Sequence, residues 1–191
     1  SRTTSYCVPS LNLNNMLGEN PEYCSKIRQL NIEDVTNRRY KAVFLAGRWD
    51  YMYEKYGMDS IDSLFDTVDF VSENSEVVYL FEQPIYYKEN VSKHFLKKKI
   101  INGLGRELLR DDLKAKLTNE IVKNKFLHKH YKNVYFVSRD VIYGSEVHHD
   151  YNEEHLPYTY DKGHLSIVGS LTAAKNFKKS EIYKPLYEAI N

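Results

Sequence analysis

The chain has 191 residues, 42% of them apolar and 28% charged, a length and balance that suit one soluble domain with a sizeable core. Lys plus Arg and Asp plus Glu nearly cancel, leaving a formal net charge of +1, which argues against a polyanionic partner such as nucleic acid. No apolar run approaches the ~18–20 residues needed to cross a bilayer, and no signal peptide opens the sequence.

Near the N-terminus stand the only two cysteines, Cys7 before Val8-Pro9 and Cys24 after Glu22-Tyr23. They read either as buried thiols or as a bridge; closing so short a loop would contribute about 3 kcal/mol in an oxidising compartment. No Cys or His stands nearby to complete a metal site. Three short apolar runs then read as buried strands: Lys41 to Gly47, Glu76 to Phe81 before Pro84, and Asn133 to Val137. Helical spacing fills the gaps. Ile61, Leu64, Phe65, Val68 and Val71 recur before the second strand, and Leu109, Leu113, Leu117, Ile121 and Val122 before the third. Val168, Leu171 and Phe177 form an apolar face near the C-terminus.

Strands alternating with helices predict right-handed crossovers and a doubly wound, three-layer α/β fold with a parallel sheet, in a single domain over 1–191. Function in such sheets gathers at the carboxyl ends of strands. Gly47-Arg48-Trp49, Glu82-Gln83-Pro84 and Ser138-Arg139-Asp140 occupy those ends. Gly103 and Gly105 read as a turn between helices, since a phosphate loop would need a preceding strand.

The segment Tyr160-Asp161-Lys162-Gly163-His164-Leu165-Ser166 places an acid three residues before an imidazole, on the loop entering the last long helix. That spacing lets one short turn present a base and the carboxylate that orients it. The plainer readings are a structural histidine and a helix-capping Asp161. With seven histidines in the chain, the motif needs context.

The context is the ordered set of motifs. Cys7-Val8-Pro9 with Cys24, a strand running into Gly47-Arg48-Trp49, a strand closing on Pro84, the strand from Val134 to Ser138, and Tyr158-Thr159-Tyr160-Asp161-Lys162-Gly163-His164-Leu165-Ser166-Ile167-Val168-Gly169 follow one another. In this order they resemble the SGNH (GDSL-type) domain of integral-membrane acyltransferases that O-acetylate bacterial surface polysaccharides. The resemblance implies an SGNH-hydrolase, flavodoxin-like fold, His164 as general base, Asp161 as its orienting acid, and a Cys7–Cys24 disulfide. It implies no cofactor. It also implies a carbohydrate acceptor, an acyl donor, tethering to a membrane acyltransferase domain, and a periplasmic or extracytoplasmic location. Arg48 and Trp49 stand where SGNH hydrolases often carry an oxyanion-binding Asn, and are candidates for substrate binding, with core packing and a surface ion pair as the alternative. The rivals within this frame are a free-standing carbohydrate esterase and a non-catalytic glycan-binding relative.

Two departures matter. The Gly-Asp-Ser block with the nucleophile is not in the sequence; Gly57-Met58-Asp59-Ser60 echoes it in the wrong place, after the Arg-Trp strand. The first strand and helix are therefore expected upstream. Cysteines that relatives carry before the Asp-x-x-His are also absent, the loop reading Tyr143-Gly144-Ser145. His148, His149, Asp150 and His155 fit no standard zinc spacing, so no metal is expected. Lys97 to Lys99 and Lys178-Lys179 read as solvated helix faces.

Overall fold

Runs rich in β-branched and aromatic residues settle as strands once neighbours supply their backbone hydrogen bonds, and three such runs pair here. A computed structural model describes residue 11, residues 21–100, 113–144, 151 and 156–191, and of 97–100 the backbone alone. Strands β1 (Ala42–Leu45), β2 (Val77–Phe81) and β3 (Val134–Val137) form a parallel sheet in the order β1-β2-β3. Ala42 pairs with Val77, and Val78 with Val134, so alternate residues of all three strands share a face.

One face carries Val43, Leu45, Val78, Leu80, Val134 and Phe136. It is covered by α2 (Trp49–Tyr56), α3 (Met58–Glu73) and α5 (Leu113–Lys129), with Val35 reaching in from α1 (Pro21–Arg38). The opposite face carries Ala42, Val77, Tyr79, Phe81, Tyr135 and Val137. Residues of α6 (Arg139–Tyr143), α7 (Ile167–Lys179), a 3-10 turn (Glu181–Tyr183) and α8 (Lys184–Ile190) pack against it. The expected three-layer α/β arrangement is therefore present. Helix α4 (Val91–Ile100) follows the loop after β2.

Aromatic rings knit the second face. Tyr79 stacks with Phe44 at 5.3 Å between centroids, and Phe177 meets Tyr79 edge-on at 5.2 Å. The Tyr79 hydroxyl donates to the Ile182 carbonyl (2.7 Å) and accepts from the Leu186 N–H (3.1 Å), which anchors α8 to the sheet. Burial raises this phenol's pKa.

The helical stripe expected before β2 lies fully in the core: Ile61, Leu64, Phe65, Val68 and Val71 are all buried. Of the stripe expected before β3, Val122 is buried and Ile121 packs against the core, while Leu109 lies outside the described residues. Leu113 and Leu117, by contrast, are exposed, and Ala115, Thr118 and Asn119 turn inward beside Val122. Asn119 sets this rotation, since its amide accepts from the Gln83 N–H (3.0 Å) and donates to the Gln83 carbonyl (3.2 Å). Leu171 of α7 is likewise exposed, and Gly169 and Ala173 form the buried positions there. The Gly103–Gly105 turn lies outside the described residues.

Gly169 packs where no side chain fits: a Cβ there would stand 2.0 Å from the Tyr158 carbonyl oxygen. Gly to Ala within a helix ordinarily stabilises by about 1 kcal/mol. Gly169→Ala is expected to do the reverse, lowering stability by about 1–3 kcal/mol in denaturant unfolding because a backbone must move. An unchanged or raised midpoint would contradict the close approach.

Candidate active site

All three strands run parallel, so their carboxyl ends open on one edge. After β1, Gly47 leaves room for the Trp49 ring to fold back; a Cβ at Gly47 would stand 2.8 Å from it. Trp49 is only 1% exposed, lies in the core and donates its indole N–H to the Phe81 carbonyl at 2.9 Å. This corrects the expectation that Trp49 binds substrate. Its ring face is used up by packing, so of the two readings core packing holds.

The loop after β2 is braced from three sides. Arg139 donates its Nε to the Gln83 carbonyl (2.7 Å) and Nη2 to the Pro84 carbonyl (3.3 Å). Its own N–H donates to the Glu82 carboxylate (2.5 Å). Asn119 holds the Gln83 main chain, and Gln83 Oε1 accepts from the Asp50 N–H at 2.7 Å. A rigid floor results under whatever sits above the sheet edge.

Above it sits the Asp161–His164 turn. The loop from Ile85 to Ser92 is anchored by the buried Ile85, Tyr87 and Val91. Its backbone N–H groups then donate upward: Tyr87 to the Lys162 carbonyl (2.8 Å), Val91 to that of Asp161 (2.9 Å) and Ser92 to that of Tyr160 (3.2 Å). Within the loop, the Tyr160 N–H donates to the His164 carbonyl and the Ser166 N–H to that of Tyr158, both at 2.8 Å. The turn is thereby closed at its base and pinned along one side.

Asp161 organises its interior. One carboxylate oxygen accepts from the N–H groups of Gly163 and His164, both at 2.9 Å. The other lies 2.8 Å from His164 Nδ1. An ionised carboxylate only accepts, so Nδ1 carries the proton and Nε2 is left basic. The His164 side chain is 89% exposed, and no other hydrogen bond to its ring occurs among the described residues. Partial burial works to raise the Asp161 pKa; the N–H groups of Gly163 and His164 and the imidazole outweigh it and hold the carboxyl below the usual carboxylate range. Capping of α7 falls to Ser166, whose hydroxyl accepts from the Gly169 N–H at 2.9 Å. Asp161 is thus not the helix cap.

Arg48 lies on the same edge. Its Nε and Nη2 each reach one Asp50 carboxylate oxygen at 2.9 Å. The hydrogen bond to Asp50 raises the Arg48 pKa against partial burial. Burial favours the neutral Asp50, but the hydrogen bonds from Arg48 prevail and lower its pKa. Arg48, Asp50, Glu54, Tyr86 and Lys114 line a small cleft of about 110 Å³. The Lys114 ammonium pairs with Glu54 at 2.5 Å, so the cleft's cations are both matched.

Ser60, in the block that echoes Gly-Asp-Ser, stands apart from this site. Ser60 is buried and donates to the Gly57 carbonyl at 2.7 Å, at the junction of α2 and α3, which excludes it as the nucleophile. Cys24 is buried in α1, and Cys7 lies outside the described residues, as do His148, His149, Asp150 and His155. No cluster of metal-ligating residues occurs among the described residues. Gln83, Asn119 and Tyr86 were not singled out from sequence; for Gln83 the only signal was its place at a strand end before Pro84.

A parallel sheet with an open Asp-x-x-His turn at its carboxyl edge is the arrangement of an SGNH-type domain, a class of hydrolases and acyltransferases. The family model described as SGNH domain (fused to AT3 domains) matches residues 1–179, and the chain belongs to this family. No curated protein matches the sequence. Among solved structures, the periplasmic domain of a lipopolysaccharide acetyltransferase from Salmonella ser. Paratyphi A superposes with a TM-score of 0.58 at 11% identity. The match covers 86% of this chain and 62% of that one, and at this identity it speaks to the fold. No helix among the described residues is long and apolar enough to cross a membrane.

The depressed Asp161 pKa has a definite sign for stability. A carboxyl whose folded pKa lies below its unfolded value stabilises the fold fully above the unfolded value and loses that contribution as pH falls through the folded one. Carbon-13 NMR of the Asp161 carboxyl is expected to show it still largely ionised at about pH 3, below the ordinary value of about 3.9. A midpoint at the ordinary value would mean that the three donors are not in place.

Proposed function

We propose that this domain transfers an acyl group, most simply acetyl, to a carbohydrate hydroxyl on the extracytoplasmic side of a membrane. The acceptor would be a surface glycan of the lipopolysaccharide kind, and the fused membrane domain would supply acyl groups from the cytoplasmic side. The observation that carries the reading is the Asp161–His164 pair, bonded at 2.8 Å with its imidazole open at the sheet's carboxyl edge.

The hydroxyl nucleophile is a serine supplied from outside these 191 residues, because the family's Gly-Asp-Ser block is absent from them. His164 Nε2 takes the serine proton as the oxygen attacks the donor's carbonyl carbon. The tetrahedral intermediate expels the donor's leaving group, which receives that proton, and an acyl-serine remains. The acceptor hydroxyl then gives its proton to Nε2 and attacks the acyl carbon. Collapse forms the sugar ester, and His164 returns the proton to serine. Asp161 stabilises the imidazolium in both halves without taking a proton itself. Backbone N–H groups near the serine are the default oxyanion donors. Water in place of the sugar would make the same site an esterase.

Arg48 borders the acceptor in this reading, beside the cleft it shares with Tyr86 and Lys114. A Cys7–Cys24 bridge would tie the N-terminal segment to α1; Cys24 is buried, and no free cysteine occurs among the described residues. Such a bridge suits an oxidising compartment.

The test uses the protein with its native upstream segment, assayed for ester cleavage and for glycan acetylation. His164→Ala is expected to lower kcat by about 10³-fold or more, and Asp161→Asn by about 10²–10⁴-fold. Equal turnover in His164→Ala and the parent would remove the assignment.

A further inference from the structure

Among the described residues, the Tyr86 side chain meets the Asp161–His164 turn at its crest. At Gly163, between the two residues, a Cβ would stand 2.8 Å from Cδ2 and 3.1 Å from Cε2 of the Tyr86 ring. Tyr86 is thus already in contact with the backbone at the crest of the turn. The same ring lies under Arg48, whose guanidinium carbon is 4.1 Å from its centroid. Arg48 in turn is fixed by two hydrogen bonds to the buried Asp50 carboxylate, and Asp50 by its N–H to Gln83. A continuous line of contacts therefore joins the braced floor of the sheet edge to the turn, and Tyr86 is its last side chain.

Neighbours of Tyr86 in sequence cannot substitute for it. Ile85 and Tyr87 point into their own buried cluster and leave Tyr86 alone to face Arg48 and Gly163. The backbone bonds from Tyr87, Val91 and Ser92 hold the turn along the loop. The Tyr86 ring, bulky, flat and rigid, fills the space between the crest and the Arg48 guanidinium.

We propose that Tyr86, held between the Arg48 guanidinium and Gly163, is a positioning residue that sets where the Asp161–His164 turn presents its imidazole over the sheet edge. The inference rests on the acyl-transfer reading for its consequence in catalysis. It also explains why glycine occupies position 163: any side chain would push the ring away. A misplacement of about 1 Å in such a group is enough to cost about 10²-fold in rate.

The experiment compares Tyr86→Ala, Tyr86→Leu and Tyr86→Phe in the protein with its native upstream segment. It reads two quantities, Asp161 carboxyl titration by NMR and kcat against KM on a small activated ester. In Tyr86→Ala the Asp161 midpoint is expected to rise toward the ordinary carboxylate value, and kcat to fall by about 10–100-fold with KM within about twofold. Tyr86→Phe, which keeps the ring, is expected to restore both. Tyr86→Leu serves if the alanine variant does not fold, with the same shift in direction. A folded alanine or leucine variant with parental titration and kcat would overturn the proposal. So would a rise in KM alone, which would make Tyr86 a contact to the ester and not a positioning residue. If the titration moves but no variant, the parent included, turns over any ester, positioning stands and the acyl-transfer reading falls.

Discussion

The function proposed for this domain depends on a single carboxylate answering three donors. Asp161 receives the N–H groups of Gly163 and His164 on one oxygen and the imidazole on the other. The backbone bonds shape the turn, and the side-chain bond orients the ring. One residue thus performs both tasks, because an Asp side chain is short enough to reach main chain two and three residues on. Charge-assisted hydrogen bonds of this kind also keep the carboxyl ionised, which is the state in which it can steady an imidazolium.

A turn so exposed would wander without support, and the support comes from residues with no chemistry of their own. Gly169 allows α7 to approach the Tyr158 carbonyl, and Ser166 caps that helix immediately after the turn. The loop after β2 supplies backbone donors from below. Arg139 and Asn119, from either side of the sheet, fix that loop through the Gln83 carbonyl. Buried polar groups satisfied in this way hold a single geometry, because each alternative leaves a donor or acceptor unpaired.

Much of this was legible in the sequence, and the rest was not for identifiable reasons. The three strands announce themselves as uninterrupted apolar runs, and Ile61 to Val71 as a helical stripe that is indeed core. The acid–imidazole pair was visible from its spacing once the order of motifs gave it context. Helix α1 carries a mixed sequence with no clean apolar stripe, so periodicity had nothing to register; only Cys24 is buried in it. The exposure of Leu113 and Leu117 in α5 is not legible locally, because Asn119 turns inward to bond Gln83, 36 positions earlier, and no local pattern encodes such a partner. For Trp49 the sequence leaves substrate contact and core packing both open, since a strand-end position reveals nothing about which way a ring folds; the small residue Gly47 is the available clue. Tyr86 escaped notice for the same reason, as its significance lies in contacts with positions 48 and 163.

The central claim is that His164 donates from Nδ1 to Asp161 and keeps Nε2 free for a hydroxyl. Nitrogen-15 NMR of the imidazole in mildly alkaline solution tests it directly, because the two ring nitrogens report separately which one is protonated. The account predicts a neutral ring with its proton on Nδ1 and an unprotonated Nε2. A proton resident on Nε2 would leave Asp161 without its donor and contradict the account.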